Sequence, residues 1–154
     1  MNQTSKRIFL DTNIILDFLD DKRPKHPQAM ILLDRLSRDG WRIVISEDMF
    51  STIFYIRRRN RQVLEFFRYV LQEWSVVPYG EALMHEAVET SLLYDLDLED
   101  TLQCLCAKKE GCAIVVTEDR GFVDCGVKVM DYGAALRELE ARQERGQKAG
   151  RQAT

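Results

Sequence analysis

Acidic residues follow two of the most apolar short runs in this chain. Asp11 comes directly after "RIFL" (7–10), and Glu118 and Asp119 come directly after "AIVVT" (113–117). A third acidic group, Asp97, Glu99 and Asp100 in "DLDLEDTLQ", opens the helical pattern that leads into the second run. A carboxylate at the end of a buried strand is costly unless its charge is answered. If Asp11, Asp100 and Asp119 meet, they repel, and must share protons or bind a cation. Oxygen ligands suit Mg²⁺ or Mn²⁺, which keep several waters and contact phosphates. The chemistry of such a site is metal-assisted hydrolysis. Thr12 and Asn13 are placed to orient Asp11, and Thr117 to orient Asp119, by hydrogen bonds. Each acid also has a plainer local reading. Asp11 or Thr12 fits an N-cap before the helix near Asn13, and Asp97 fits a cap with Asp100 in its first turn. Glu118 and Asp119 fit a turn before Gly121.

Other chemistries find less support. The only histidines, His26 and His85, sit in no Ser-His-Asp arrangement. A haloacid-dehalogenase-type phosphatase also opens with a strand and an aspartate, but needs a second acid two residues on, where this chain has Asn13. The cysteines, Cys104, Cys106, Cys112 and Cys125, form no C-x-x-C pair. They read as reduced, mostly buried thiols rather than as a zinc site.

The elements that must position the acids alternate. Short β-rich runs at 7–10, 42–45, 74–78, 113–117 and 127–130 are separated by helical patterns at 13–20, 27–38, 47–58, 62–73, 81–93, 98–110 and 132–144. Short apolar strands between helices indicate a parallel sheet covered on both faces, a three-layer α/β/α fold of the Rossmann-like kind. The 154 residues fit one domain over 1–140, and the polar end "RQERGQKAGRQAT" reads as part of a flexible tail, 141–154. Hydrophobic residues are 45% and charged residues 31%, an ordinary soluble composition. No apolar run spans a bilayer, and the N-terminus has no signal-peptide core, so a cytoplasmic location is expected. The net charge of −3 excludes nucleic-acid binding by overall charge but leaves room for a basic patch.

Ligands of an open parallel sheet bind beyond the carboxyl ends of its strands, where Asp11 and Asp119 belong. The helix carrying Asp100 returns antiparallel to the strands, which on a simple crossover argument puts its start at the opposite edge. The periodicity therefore leaves the meeting of Asp100 with Asp11 open.

"RIFLDTNIILDFL", "DLEDTLQCLCAKKEGCAIVVTEDRGF" and their order in the chain resemble the PIN-domain nucleases, closest to the small single-domain proteins related to VapC-type toxins. The resemblance covers roughly residues 7–136. It implies a central sheet with helices on both faces and an acidic cleft at its end. It implies Asp11, Asp100 and Asp119 as the Mg²⁺- or Mn²⁺-binding acids, with Asp97 as a neighbour. It implies hydrolysis of RNA phosphodiesters by a metal-activated water, an antitoxin protein as partner, and a homodimer. The chain departs from the family at Thr52, six residues after Ser46, where a further acid is usual. Asp48 lies one helical turn before Thr52, on the same face. The alternative that follows is a catalytically weak or inactive PIN domain that binds RNA or protein.

Two basic segments remain. "YIRRRNRQ" gathers Arg57, Arg58, Arg59 and Arg61 at a helix end, a candidate phosphate-binding cluster or a solvated, dipole-favoured terminus. "KRPKHP" (22–27) reads as an exposed loop forming one lip of the cleft. Tyr55, Tyr69 and Trp74 are expected to pack rather than to stack on bases.

Overall fold

The structure is a computed structural model and describes residues 5–58 and 60–153. Its elements are β1 (Arg7–Leu10), α1 (Thr12–Leu19), α2 (His26–Arg38), β2 (Arg42–Ser46), α3 (Asp48–Ile56), α4 (Arg61–Glu73), β3 (Ser75–Val77), α5 (Glu81–Tyr94), α6 (Leu98–Lys109), β4 (Ile114–Val116), β5 (Lys128–Met130) and α7 (Tyr132–Gln152). The five strands form one parallel sheet in the order β3-β2-β1-β4-β5. β1 is its centre, with Phe9 opposite Val44 on one side and Val115 on the other.

Ile8, Phe9, Leu10 and Ile114 to Val116 are all fully buried, which is why these strands are unbroken apolar runs rather than alternating ones. Each such large side chain contributes roughly 1.5–3 kcal/mol by leaving water. α6 packs on β2 and β4, while α7 packs on β4, β5 and α2. The expected three-layer α/β/α architecture is what forms.

The sheet runs outward from β1 through β2 to β3, then resumes on the other side of β1 with β4 and β5. The order therefore reverses between β1 and β4, and a crevice opens beyond their carboxyl ends. Asp11 and Asp119 follow these two strands.

α6 enters the sheet differently from the expectation. Arg7 at the start of β1 donates from Nε to the carbonyl of Glu110, just past the end of α6, at 2.7 Å. The end of α6 is thus at the amino edge of the sheet and its start at the carboxyl edge. A helix that runs antiparallel to the strands and feeds β4 must end where β4 begins, so it must begin beside Asp11. The antiparallel return was right, and the edge inferred from it was reversed. Asp95, in the left-handed region at φ 54°, turns the chain between α5 and α6.

Two further expectations are corrected. Cys104 on α6 and Cys125 before β5 are joined in a disulfide across a sequence separation of 21, leaving only Cys106 and Cys112 as buried free thiols. The loop after β4 folds back onto α6, a closure that no local spacing signals. The stretch read as a flexible tail is helical: α7 continues to Gln152. Its middle is docked, because the Arg142 guanidinium lies 5.0 Å over the Trp41 ring and donates to the Ser5 carbonyl at 3.1 Å. No helix among the described residues is long and apolar enough to cross a membrane.

Candidate metal and phosphodiester site

Asp11 extends the β1 ladder by one residue, its N–H donating to the carbonyl of Val116 at 3.0 Å. It stands at the N-cap position of α1, yet its side chain makes no capping hydrogen bond. Its carboxylate instead accepts from the Thr117 hydroxyl at 2.8 Å. With 6% of its surface exposed, Asp11 is a buried acid, and burial pushes its pKa up against the hydrogen bonds that favour its charge.

Thr117 joins two of the acids. While its hydroxyl donates to Asp11, the same oxygen accepts the backbone N–H of Asp119 at 3.1 Å. Asp119 turns one oxygen to the N–H of Gly121 at 2.9 Å, so its turn role is real and occupies one of its two oxygens. Asp97 caps α6, accepting from the Asp100 N–H at 2.9 Å. Local and cluster roles coexist in these residues.

Asp100 carries the largest consequence. Partial burial comes first, and the charges of Asp97, Asp119, Asp11 and Glu99 add to it, pushing its carboxyl up to about 7. Glu99 is also raised, by burial and by Asp11, Asp48 and Asp97. Four carboxylates thus act on Asp100 at the carboxyl edge of the sheet, a cluster of five acids. None of them forms an ion pair with Lys or Arg among the described residues. Among those residues no three His, Cys, Asp or Glu side chains are gathered tightly enough to hold one ion directly. An all-oxygen, unneutralised cluster of this kind fits a hard divalent cation that takes one or two carboxylates and completes its shell with water.

The remaining sequence candidates separate. Thr12 is buried and its hydroxyl accepts from Gln103 Nε2 at 3.4 Å. Asn13 is exposed and makes no hydrogen bond to Asp11 among the described residues, so the orienting hydrogen bonds come from Thr117, the Thr12 backbone and Gln103. Thr52 is exposed on α3 and donates to the Asp48 carbonyl at 3.3 Å. Asp48, at the first turn of α3, acts electrostatically on Glu99 and on Tyr79, whose hydroxyl is 3.1 Å from Ser46 Oγ. It also lines a cleft of about 960 Å³ with Tyr79, Met84 and His85.

The basic groups are partly committed elsewhere. Arg57 pairs with Asp20 at 3.2 Å and Arg61 with Glu65 at 3.3 Å. Arg58 is exposed with φ 58°, and Arg59 lies outside the described residues. The 22–27 loop does border the acids. Lys25 is 3.9 Å from Glu118, the neighbour of Asp119, while Arg23 is bound to Asp17 at 2.7 Å. Glu99 and Gln103 were the residues passed over. Glu99 was visible as a member of the acidic group, and Gln103 only by position, three residues after Asp100 and four after Glu99 on the helix.

Known proteins share the sequence pattern and the fold of this chain. The PIN domain family model matches residues 8–128. Ribonuclease VapC1 of Aquifex aeolicus is 29% identical over 131 residues, covering 82% of this chain and 90% of the relative. The fold is shared with Mycobacterium tuberculosis VapC20, a sarcin-ricin loop cleaving toxin, at TM-score 0.64 and 18% identity over 78% of this chain and 95% of that one. It is shared also with a chain of a toxin-antitoxin complex from Klebsiella pneumoniae, at TM-score 0.62 and 18% identity over 81% of this chain and 97% of that one.

Proposed function

The chain belongs to the PIN-domain family, and from that premise we propose that it is a divalent-metal-dependent endoribonuclease acting as the toxin of a toxin–antitoxin pair. The observation that carries the reading is the set of five unneutralised carboxylates at the β1/β4 crevice. Relatives named as a ribonuclease and as toxins support the activity and the antitoxin partner.

Asp11, Asp100 and Asp119 would hold Mg²⁺ or Mn²⁺, one or two of them directly and the rest through its waters, with Asp97 assisting. Bound there, the ion supplies a polarised phosphodiester and a water acidic enough to attack at neutral pH. The chain's own residues do the rest. Thr117 holds the Asp11 carboxylate and the Asp119 backbone in one arrangement. Asp100, half-protonated near pH 7, releases its proton as positive charge arrives. Arg58, and Lys25 with only a long 3.9 Å contact to Glu118, are the cations offered to RNA phosphates, since Arg57 and Arg61 are paired at 3.2 and 3.3 Å. A homodimer, which the family resemblance implies, belongs to the same reading.

Thr52 favours a second reading. It is exposed and bonded to its own helix, so α3 adds no acid at the position where the family carries one. A weak or inactive domain that binds RNA or protein would look the same there. Mn²⁺ titration by calorimetry, followed by RNA cleavage, separates the two. Wild type that binds Mn²⁺ and cleaves, with Asp11→Asn failing at both, establishes the nuclease. A wild type that binds RNA without cleaving it, and gains cleavage on Thr52→Glu, establishes the binding module.

A further inference from the structure

Gln103 sits on α6, three residues after Asp100 and on the same face. It is completely buried. Its Nε2 donates to the Thr12 hydroxyl at 3.4 Å, and the same amide faces the Asp11 carboxylate and favours its ionised form. Its Oε1 is buried and has no donor among the described residues. A glutamine used only for packing is a poor choice in such a place. Leu or Met fills similar space and leaves no amide stranded from water.

We propose that Gln103 is a positioning residue for the site: its amide, anchored on Thr12, fixes the orientation of the Asp11 carboxylate, and its Oε1 is kept open to accept a hydrogen bond from a water in the shell of a bound divalent cation. The assignment rests on the metal reading given above. It makes α6 contribute twice, once through the acid of its first turn and once through an amide one turn deeper. It also explains why the one fully buried glutamine of the described residues lies against Asp11.

Two properties of the metal-free and metal-bound protein test it. Thermal melting is measured without metal, and Mn²⁺ affinity is measured by calorimetry, on wild type, Asp11→Asn, Gln103→Met and Thr12→Val. Gln103→Met removes the stranded oxygen at nearly constant volume. It should melt at or above the wild-type temperature and yet bind Mn²⁺ about tenfold more weakly, the lower end of what partners of metal ligands carry. Thr12→Val removes the anchor of the amide and should weaken Mn²⁺ binding in the same direction. If Gln103→Met melts lower and binds more weakly, Thr12→Val decides: unchanged Mn²⁺ affinity there reduces Gln103 to a structural residue. If both variants bind like wild type while Asp11→Asn does not, the inference is overturned and the metal site stands. If Asp11→Asn binds like wild type, or wild type binds no Mn²⁺, the metal reading itself falls and this one with it.

Discussion

Asp100 links the chemistry of single residues to solution behaviour. Its carboxyl is raised from 3.8 to about 7 in the folded chain, first by burial and then by four neighbouring acids. Between those values the folded state holds a proton that the unfolded state has released. Stability of the metal-free protein therefore falls as pH rises through this window. Asp11 and Glu99 are raised too and act in the same direction. Metal-free protein should accordingly melt higher at pH 5 than at pH 8, and Asp100→Asn should flatten that profile and raise the melting temperature at pH 8. Mn²⁺ affinity should show the opposite trend, rising as pH passes about 7, because the ion competes with the proton. Thr117 offers a second test at this scale. Thr117→Val removes a donor from the Asp11 carboxylate and the acceptor of the Asp119 N–H. We expect RNA cleavage to fall by about 10–100-fold with a stability loss of about 1–3 kcal/mol by urea denaturation.

Among the elements, α6 and the segments around it decide the site. The Cys104–Cys125 disulfide ties α6, one turn past Asp100, to the loop that follows Asp119. Closing a loop of that length stabilises a fold by about 3 kcal/mol in the chain-entropy account. Cys104→Ser should lower the melting temperature in oxidising buffer and leave it unchanged in reducing buffer. Alkylation of the unreduced, denatured chain should modify two cysteines rather than four. On the opposite flank, Asp17 joins α1 to the 22–27 loop and to α7, accepting from Arg23 Nε at 2.7 Å and from the Tyr132 hydroxyl at 2.8 Å. His26 Nδ1 lies 2.8 Å from the Asp17 carbonyl. Asp17→Ala should cost about 2–3 kcal/mol by denaturation. It should also release the loop that brings Lys25 to Glu118.

For the molecule as a whole, the charge distribution sets how RNA is met. A net charge of −3, with five acids at the crevice, repels a polyanion until a divalent cation intervenes. In the two basic segments, Arg23, Arg57 and Arg61 are each engaged with a carboxylate. RNA affinity in Mn²⁺ should therefore depend only weakly on salt. About three phosphate contacts on a single strand correspond to a slope near −2 in log K against log salt. Titrating a non-cleavable RNA across salt concentrations measures this directly, and a much steeper slope would mean that a basic surface outside these residues carries the binding.

The sequence by itself marked the succession of elements and the candidate acids. Short apolar runs such as 8–10 and 113–116 read as strands buried on both faces, and a carboxylate just after such a run marks the edge where ligands bind. The order of motifs around Asp11, Asp100 and Asp119 then pointed to the family whose model matches the chain. Tertiary structure alone decided which acids face one another, because that depends on α6 starting at the carboxyl edge, a fact about the path between β3 and β4. It alone decided that Cys104 meets Cys125, that Asn13 turns to solvent while Thr117 holds Asp11, and that Gln103 is buried with one oxygen unanswered. It extended α7 to Gln152 by docking Arg142 on Trp41. Local spacing carries propensity and face, but hydrogen bonds and burial between residues a hundred positions apart exist only once the chain has closed on itself.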